Sequence, residues 1–188
     1  MKFGKVVLGS LMLAATPLAA MADDMSYSYV DAAYVSTDID NAPTADGFGL
    51  RGSVGFAKNW FVFADYSAQS VQGVDIDSYD VGFGGHYAMT DTLDVVGRLG
   101  YTKIELDAGG GLNADDDGYL LDLGLRGRVT DGVELEGGIH YTDFDEGGDN
   151  TGLYVGGRFH FNKTWALGAE YQSGDDADSI LAYVRASF

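Results

Sequence analysis

Residues 118–129 read GYLLDLGLRGRV, and this stretch decides the fold class. Its odd-numbered positions from 119 to 125 are tyrosine and leucine, whereas its even-numbered positions from 122 to 128 are aspartate, glycine and arginine. Because successive side chains of a β-strand point to opposite faces, one face of this strand is apolar and the other is charged. This alternation is typical of a barrel that crosses a membrane, with lipid outside and a polar interior.

The arginines obey the same rule along the whole chain. Each stands on the face opposite the apolar residues of its predicted strand: Arg51, Arg98, Arg126, Arg128, Arg158 and Arg185. The lysines Lys58, Lys103 and Lys163 stand instead at strand ends or turns. The alternative, a soluble barrel with its aromatic side chains inside, would place every arginine on the outer surface with almost no lysine. We therefore predict a barrel whose interior holds the arginines.

Period-two alternation continues through the chain and predicts ten strands. They are predicted at residues 26–36, 47–57, 60–70, 78–88, 93–104, 118–129, 133–143, 151–161, 165–173 and 179–188. The connections alternate between tight turns, at 58–59, 89–92, 130–132 and 162–164, and longer acidic segments, at 37–46, 71–77, 105–117, 144–150 and 174–178. Short turns on one side and longer loops on the other are the polarity of bacterial membrane barrels. The fold class is thus all-β, a single up-and-down antiparallel transmembrane β-barrel of ten strands.

The N-terminus has the pattern of a signal peptide. Lys2 and Lys5 flank the start of an apolar stretch over residues 6–18, and residues 20–22 read AMA, which predicts cleavage before Asp23. We therefore expect a signal peptide at 1–22 and a barrel domain at 23–188, with a retained N-terminal anchor as the alternative. No later stretch approaches the roughly 20 apolar residues of a helical span. A membrane-embedded form must then be a closed sheet.

The charge balance limits the partners. A net charge of −18 argues against nucleic acid, whose phosphates require stripes of lysine and arginine. The absence of cysteine from the sequence excludes a disulfide framework and thiol chemistry.

Seventeen of the 29 acids fall on the loop side, which predicts solvated, mutually repelling loops. Weak binding of divalent cations at these loops is the alternative, because hard cations take clustered carboxylates. No cofactor is expected.

Aromatic side chains cluster at both predicted ends of the barrel and face outward. At the short-turn end they are Trp60, Tyr87, Phe161, Trp165 and Phe188. At the loop end they are Tyr66, Tyr79, Tyr101, Tyr119, Tyr141 and Tyr171. Two such girdles on either side of an aliphatic band are typical of the two lipid–water interfaces.

The last strand carries a recognisable pattern. Ile180, Ala182, Val184, Ala186 and Phe188 are apolar at every second position and end in an aromatic residue. With the signal peptide and the alternating strands, this resembles the small outer-membrane β-barrel proteins of Gram-negative bacteria. The resemblance implies a location in the outer membrane, contact with its lipid and lipopolysaccharide, and recognition of the strand that ends at Phe188 by the barrel-assembly machinery. The common eight-stranded form of that family is the alternative to ten.

Two short segments resemble a narrower subgroup. Residues 26–30, SYSYV, and the turn at 162–165, NKTW, are similar to proteins of plant-associated proteobacteria that were once proposed to activate plant immunity.

Parity predicts a charged network inside the barrel. Its members are Asp31, Arg51, Asp65, Asp80, His86, Asp94, Arg98, Asp122, Arg126, Arg128, Glu134, Glu136, His140, Arg158, His160, Glu170 and Arg185. Counting back from the tight turns pairs Arg51 with Asp65, His86 with Asp94, Arg128 with Glu134, Arg126 with Glu136, and Asp122 with His140. Glu136 also reaches Arg158, so an Arg126–Glu136–Arg158 triad is a hypothesis. The histidines are interpreted as hydrogen-bonded lumen residues, because they do not converge on a metal site.

Charged side chains inside the barrel must be paired with opposite charges, because a narrow interior removes most of their hydration. A plugged interior favours a structural or surface-interaction role, in which the barrel presents short acidic loops outside the cell. A porin-like narrow channel for small solutes or ions is the alternative, because glycines beside the arginines leave space. An enzyme is not expected, since the loops contain no histidine as a general base.

Overall fold

Ten β-strands follow one another along residues 25–188, the part of the chain that the computed structural model describes. They are β1 (Tyr29–Ile39), β2 (Ala45–Ala57), β3 (Trp60–Val71), β4 (Val74–Thr90), β5 (Leu93–Asp107), β6 (Asn113–Thr130), β7 (Val133–Phe144), β8 (Gly148–His160), β9 (Trp165–Ser173) and β10 (Ala177–Ser187). Each strand pairs with its chain neighbours, and β1 pairs with β10, so the antiparallel sheet closes into a barrel. The predicted ten-stranded up-and-down barrel is confirmed, and the eight-stranded alternative is wrong.

The predicted signal peptide at 1–22 lies outside the described residues. In residues 25–188 no helix is long and apolar enough to cross a membrane.

The outer and inner faces of the sheet differ as the alternation requires. On β6, Leu121, Leu123 and Leu125 are 49, 53 and 48% exposed, whereas Arg126 is only 5% exposed. A leucine stripe this open to the outside is costly in water and favourable in acyl chains. The apolar face is therefore the outside of the barrel and the charged face is its interior.

The strand register shifts just before three of the tight turns. The pairing shifts between Gly55 and Ala57, between Ala88 and Thr90, and between Arg128 and Thr130, each time just before a tight turn. Such bulges bend and twist a strand at a barrel rim. In the turn between β8 and β9, the Asn162 side chain accepts hydrogen bonds from the amides of Thr164 and Trp165, both at 2.9 Å.

The acidic connections are shorter than predicted, and this is a correction. The connection predicted at 71–77 is a two-residue turn of Gln72 and Gly73, whose φ angles of 49° and 85° are those of a tight hairpin. The connection predicted at 105–117 shrinks to residues 108–112, since β5 and β6 stay paired up to Asp107 and Asn113. Composition suggested loops here because the outward residues are acidic, yet the backbone pairing continues through these residues.

The first strand also begins later than predicted. Residues 26–28 are not part of β1, which starts at Tyr29. The Ser26 hydroxyl donates to the Ser28 carbonyl at 3.0 Å and accepts from the Ser28 amide at 3.1 Å, so the chain bends there. This bend brings Tyr27 into the mouth of the barrel.

Candidate functional site

The lumen is the candidate functional site. All seventeen residues of the predicted charged network are buried or half-buried. Ten of them line a cavity of about 430 Å³. Its wall runs from Tyr27, Phe61 and Arg126 at the short-turn end to Thr37 and Gln69 at the loop end.

The closing strands meet at a buried ion pair. Arg185 of β10 donates to both oxygens of Asp31 on β1, at 2.7 and 2.8 Å, and Asp31 is fully buried. Arg51 of β2 approaches the same carboxylate at 3.1 Å and also donates to Glu170 of β9 at 3.1 Å. These charge-assisted contacts link four strands around the seam of the barrel.

A second set of ion pairs lies on the opposite wall of the barrel. Arg98 of β5 donates to Asp65 of β3 at 2.7 Å and lies 3.5 Å from Asp122 of β6. Its guanidinium stacks 3.8 Å from the ring centre of Phe63. Asp80 is the direct Cα partner of Asp65, so this wall holds three carboxylates around one arginine.

A third set lies toward the short-turn end. Glu134 accepts two hydrogen bonds from Arg126, at 3.0 and 2.7 Å. His160 lies 3.2 Å and Arg158 3.8 Å from the same carboxylate. Arg158 forms its shortest ion pair with Glu136. Glu134, rather than Glu136, is therefore the shared acid of this set.

Two predicted groupings are corrected by these contacts. Arg126 is opposite Glu136 in register, but its side chain binds Glu134, so the Arg126–Glu136–Arg158 triad is wrong. Arg51 is opposite Asp65, yet it binds Asp31 and Glu170. Register fixes which Cα atoms are opposite, whereas a long guanidinium reaches diagonally to the acid that gives the better geometry. Arg128 does lie opposite Glu134, as expected from the turn.

The histidines lie apart, each beside one acid. His86 is 3.2 Å from Asp94, and His140 is 3.4 Å from Asp122. Within residues 25–188, no three acids or histidines converge to hold a metal ion.

Interior aromatic residues were missed by the sequence argument, which assigned aromatics to the girdles. Tyr27, Tyr29, Phe61, Phe63, Tyr154 and Tyr183 point inward. Arg185 lies 3.5 Å from the ring centre of Tyr29, and Arg51 lies 4.6 Å from that of Tyr183. Each of these rings stands an even number of positions from an inward-facing charged residue, namely Asp31, Asp65, Arg158 or Arg185. The alternation of the strands would therefore have placed the rings inside. The rings cover the hydrocarbon parts of the arginines and add cation–π attraction.

The short-turn mouth is occupied by the segment before β1. Tyr27 stacks on His86, with ring centres 3.9 Å apart, and on Phe61 at 5.2 Å. Its hydroxyl donates to Asp94 at 2.7 Å. The Ser53 hydroxyl donates to the Tyr27 carbonyl at 2.7 Å, and Arg126 donates to the Ser26 carbonyl at 2.9 Å.

Above the charged layers, the cavity wall becomes neutral and polar. Hydroxyl and amide side chains line it here: Thr37, Ser67, Gln69, Ser78, Thr102, Thr142, Asn150, Gln172 and Ser179. Gln69 donates to the Thr37 hydroxyl at 2.9 Å. The lining of the lumen therefore changes from ion pairs to hydroxyl and amide side chains toward the loop end.

The girdle residues lie on the outer face. Trp60, Tyr87, Phe161, Trp165 and Phe188 are exposed at the short-turn end, and Tyr66, Tyr79, Tyr101, Tyr119 and Tyr171 are exposed at the loop end, with Tyr141 half-buried beside Tyr119. Three loop-end tyrosines donate to an aspartate on the next strand: Tyr34 to Asp46 at 2.7 Å, Tyr66 to Asp77 at 2.6 Å and Tyr119 to Asp143 at 2.8 Å. These bonds join the girdle to the acidic rim. The acidic rim consists of the acidic residues at the strand ends and turns that lie beyond the girdle.

Lys103 is the basic residue of this rim. It lies 2.6 Å from Glu105 and 3.5 Å from Asp115, beyond the girdle. The hydrogen bond to Glu105 raises the pKa of Lys103, which keeps the ammonium charged.

Comparison with known proteins agrees with this geometry. A sequence model described as the outer membrane protein beta-barrel domain matches residues 6–156. The chain belongs to this family. Membership places the protein in the outer membrane and confirms the predicted resemblance to small outer-membrane barrels. The similarity to the plant-associated subgroup stays a prediction. No curated protein matches the sequence.

Two porins of known structure share the fold at low identity. The KdgM porin is 13% identical, with a TM-score of 0.51 and coverage of 85% of this chain and 99% of that one. The NanC porin is 11% identical, with a TM-score of 0.54 and coverage of 85% and 100%. The N-terminal β-barrel domain of Pseudomonas aeruginosa OprF is 8% identical, with a TM-score of 0.47 and coverage of 86% and 99%.

Proposed function

We infer that the protein is a closed outer-membrane barrel that presents an acidic surface to the cell exterior. The observation that carries this proposal is the ion-paired lumen. Arg51, Arg98, Arg126, Arg158 and Arg185 each contact at least one carboxylate inside the barrel. An interior crosslinked in this way resists the rearrangement that free passage of solutes requires.

The rim supports a role at the surface. β4, β5 and β6 extend beyond the tyrosine girdle, and their outward residues there are mostly acidic. Asp116 accepts hydrogen bonds from the amides of Glu146 and Gly147, at 3.2 and 2.6 Å, so it orders the neighbouring β7–β8 turn. The rim is thus a shaped acidic surface on a rigid sheet, and it favours cationic or polar partners over polyanions.

The partners of the membrane-embedded part follow from the girdles and the last strand. We propose contact with lipid and lipopolysaccharide along the outer face, and recognition by the barrel-assembly machinery through Phe188. The Phe188 ring is 46% exposed at the short-turn end. A Phe188→Ala variant should lower the yield of assembled barrel in the outer membrane, while Phe161→Ala, an exposed aromatic of the same girdle, should not.

Divalent cations are a weaker proposal for the rim. Their only support is the density of carboxylates there. A thermal melt of the barrel in calcium and in a chelator tests it, and identical melts would remove the proposal.

A narrow channel is the second candidate, and the cavity of about 430 Å³ along the lumen favours it. The KdgM porin was solved in complex with disordered oligogalacturonate. An acidic rim repels such a polyanion, so cations or neutral solutes suit this lumen better.

Conductance in planar bilayers separates the two candidates. The closed barrel should give no current or rare small events. Sustained conductance of the wild-type protein would instead favour the channel.

A further inference from the structure

We propose that Tyr27 is the stopper of a latent cation pathway, and that removing it converts the closed barrel into a cation-selective channel. This goes beyond the proposed surface role, which requires only that the barrel be closed.

The first ground is where the cavity ends. The wall of the lumen cavity includes the rings of Tyr27 and Phe61 at one end and Gln69 and Ser179 at the other. The His86 amide donates to the Asn59 carbonyl at 2.9 Å, so His86 and its stacking partner Tyr27 lie beside a tight turn. Tyr27 therefore stands between the cavity and the short-turn exit.

The second ground is how Tyr27 is held. Its ring is packed between His86 and Phe61, and Arg126 lies 4.8 Å from its centre. Its hydroxyl binds Asp94 and its carbonyl binds Ser53. The ring and hydroxyl contacts are made by the Tyr27 side chain alone, and none of them is a rung of the barrel sheet. The stopper can leave while the ten-stranded pairing stays intact.

The third ground is charge. Five carboxylates and four guanidinium groups line the cavity, so the formal charges of these groups leave one excess negative charge on the wall. The acidic rim stands at its loop-end opening. A narrow polar passage with negative potential concentrates cations and excludes anions.

The segment before β1 also completes the hydrogen bonding of Arg126, which the residues of the sheet satisfy only in part. Arg126 donates to Glu134 from two nitrogens and to the Ser26 carbonyl from the third. Without residues 25–28 that third donor would face the passage. The segment before β1 thus completes the hydrogen bonding of the lowest charged layer as well as filling the mouth.

The test compares folded variants in planar lipid bilayers under a KCl gradient. Tyr27→Ala should conduct steadily, with a reversal potential toward that of potassium. Tyr27→Phe keeps the ring and loses only the bond to Asp94, so it should stay nearly closed. Tyr87→Ala removes an exposed aromatic of the same end and should remain as silent as the wild type. Heat-modifiable gel mobility verifies that each variant is a folded barrel.

Folded but silent Tyr27→Ala would overturn the proposal and leave the closed surface barrel standing. Chloride selectivity, or equal conductance of Tyr87→Ala, would overturn it as well. If Tyr27→Ala does not fold, Ser53→Ala decides, because it removes only the hydroxyl that holds the Tyr27 carbonyl. Frequent openings of Ser53→Ala support the stopper, and its silence contradicts it. A conducting wild type would instead refute the closed barrel of the proposed function.

Discussion

Arg185 donates hydrogen bonds to both carboxylate oxygens of Asp31, at 2.7 and 2.8 Å, and so links the last strand to the first. The two residues are also direct Cα partners across the seam between β1 and β10. Asp31 is fully buried and takes a second arginine, Arg51, at 3.1 Å. One carboxylate therefore bridges two guanidinium groups at the point where the barrel closes, and Glu170 gives Arg51 a second negative partner.

Asp31→Asn should destabilise the barrel strongly. The change leaves two buried guanidinium groups without their shared negative partner, which costs about 3–5 kcal/mol when a buried pair is broken. Urea unfolding of the barrel in lipid vesicles measures the loss. Asp178→Asn is the matched control, because Asp178 lies exposed on the same seam opposite Asp38. An equal loss in both variants would contradict a special role for Asp31.

Gly168→Ala should disturb the packing of Tyr183. A Cβ at position 168 would lie 2.4 Å from Cζ of Tyr183, a ring that is only 1% exposed. Such overpacking costs about 1–3 kcal/mol. At Gly52 the nearest heavy atom would be 3.8 Å away, so Gly52→Ala should change the unfolding free energy by less than about 0.5 kcal/mol. Combining Gly168→Ala with Tyr183→Leu should recover part of the loss, and strict additivity would argue against the predicted clash.

Double-mutant cycles should distinguish Glu134 from Glu136 as the partner of Arg126. The pair Arg126→Met and Glu134→Gln should show a coupling of about 0.5–3 kcal/mol, as residues in direct contact do. The pair Arg126→Met and Glu136→Gln should show a clearly smaller coupling, because Glu136 binds Arg158 instead. The reverse order of the two couplings would restore the grouping that register alone suggested.

Cysteine labelling should define which end faces outward. The sequence contains no cysteine, so a single introduced thiol reports its own position. Leu112 is 73% exposed at the tip of the β5–β6 hairpin, and Leu112→Cys should react with an impermeant maleimide on intact cells. Lys163→Cys, in the tight turn between β8 and β9, should react only after the outer membrane is permeabilised. Labelling of Lys163→Cys on intact cells would reverse the orientation.

Strand number and the two faces of the sheet were predictable because alternation is a local property. The bounds of β9 were predicted without error at 165–173, since polar turn residues stand on both sides of it. β4 and β6 were predicted too short by four and five residues at their loop ends, since 74–77 and 113–117 are rich in aspartate. Acidic composition resembles that of a loop, whereas cross-strand pairing decides the fold there.

Side-chain partners were less predictable than faces. Parity placed Arg51 and Arg126 inside the barrel, but it could not select among several carboxylates within reach of each. The choice depends on barrel curvature and on stacking against rings such as Tyr183 and Tyr27. The role of Tyr27 at the mouth was missed because residues 26–28 were assigned to the first strand, whereas their backbone bends at Ser26 and β1 begins at Tyr29.

Detergent dependence of folding tests the outward orientation of the apolar face most directly. The polypeptide from Asp23 onward should refold into a heat-modifiable, monodisperse barrel only when detergent micelles or lipid vesicles are present, and it should aggregate when they are removed. Size-exclusion chromatography with near-ultraviolet circular dichroism in plain buffer provides the measurement. A folded, monodisperse species without any amphiphile would contradict a lipid-facing outer surface, because a leucine face that is half exposed would then be stable in water.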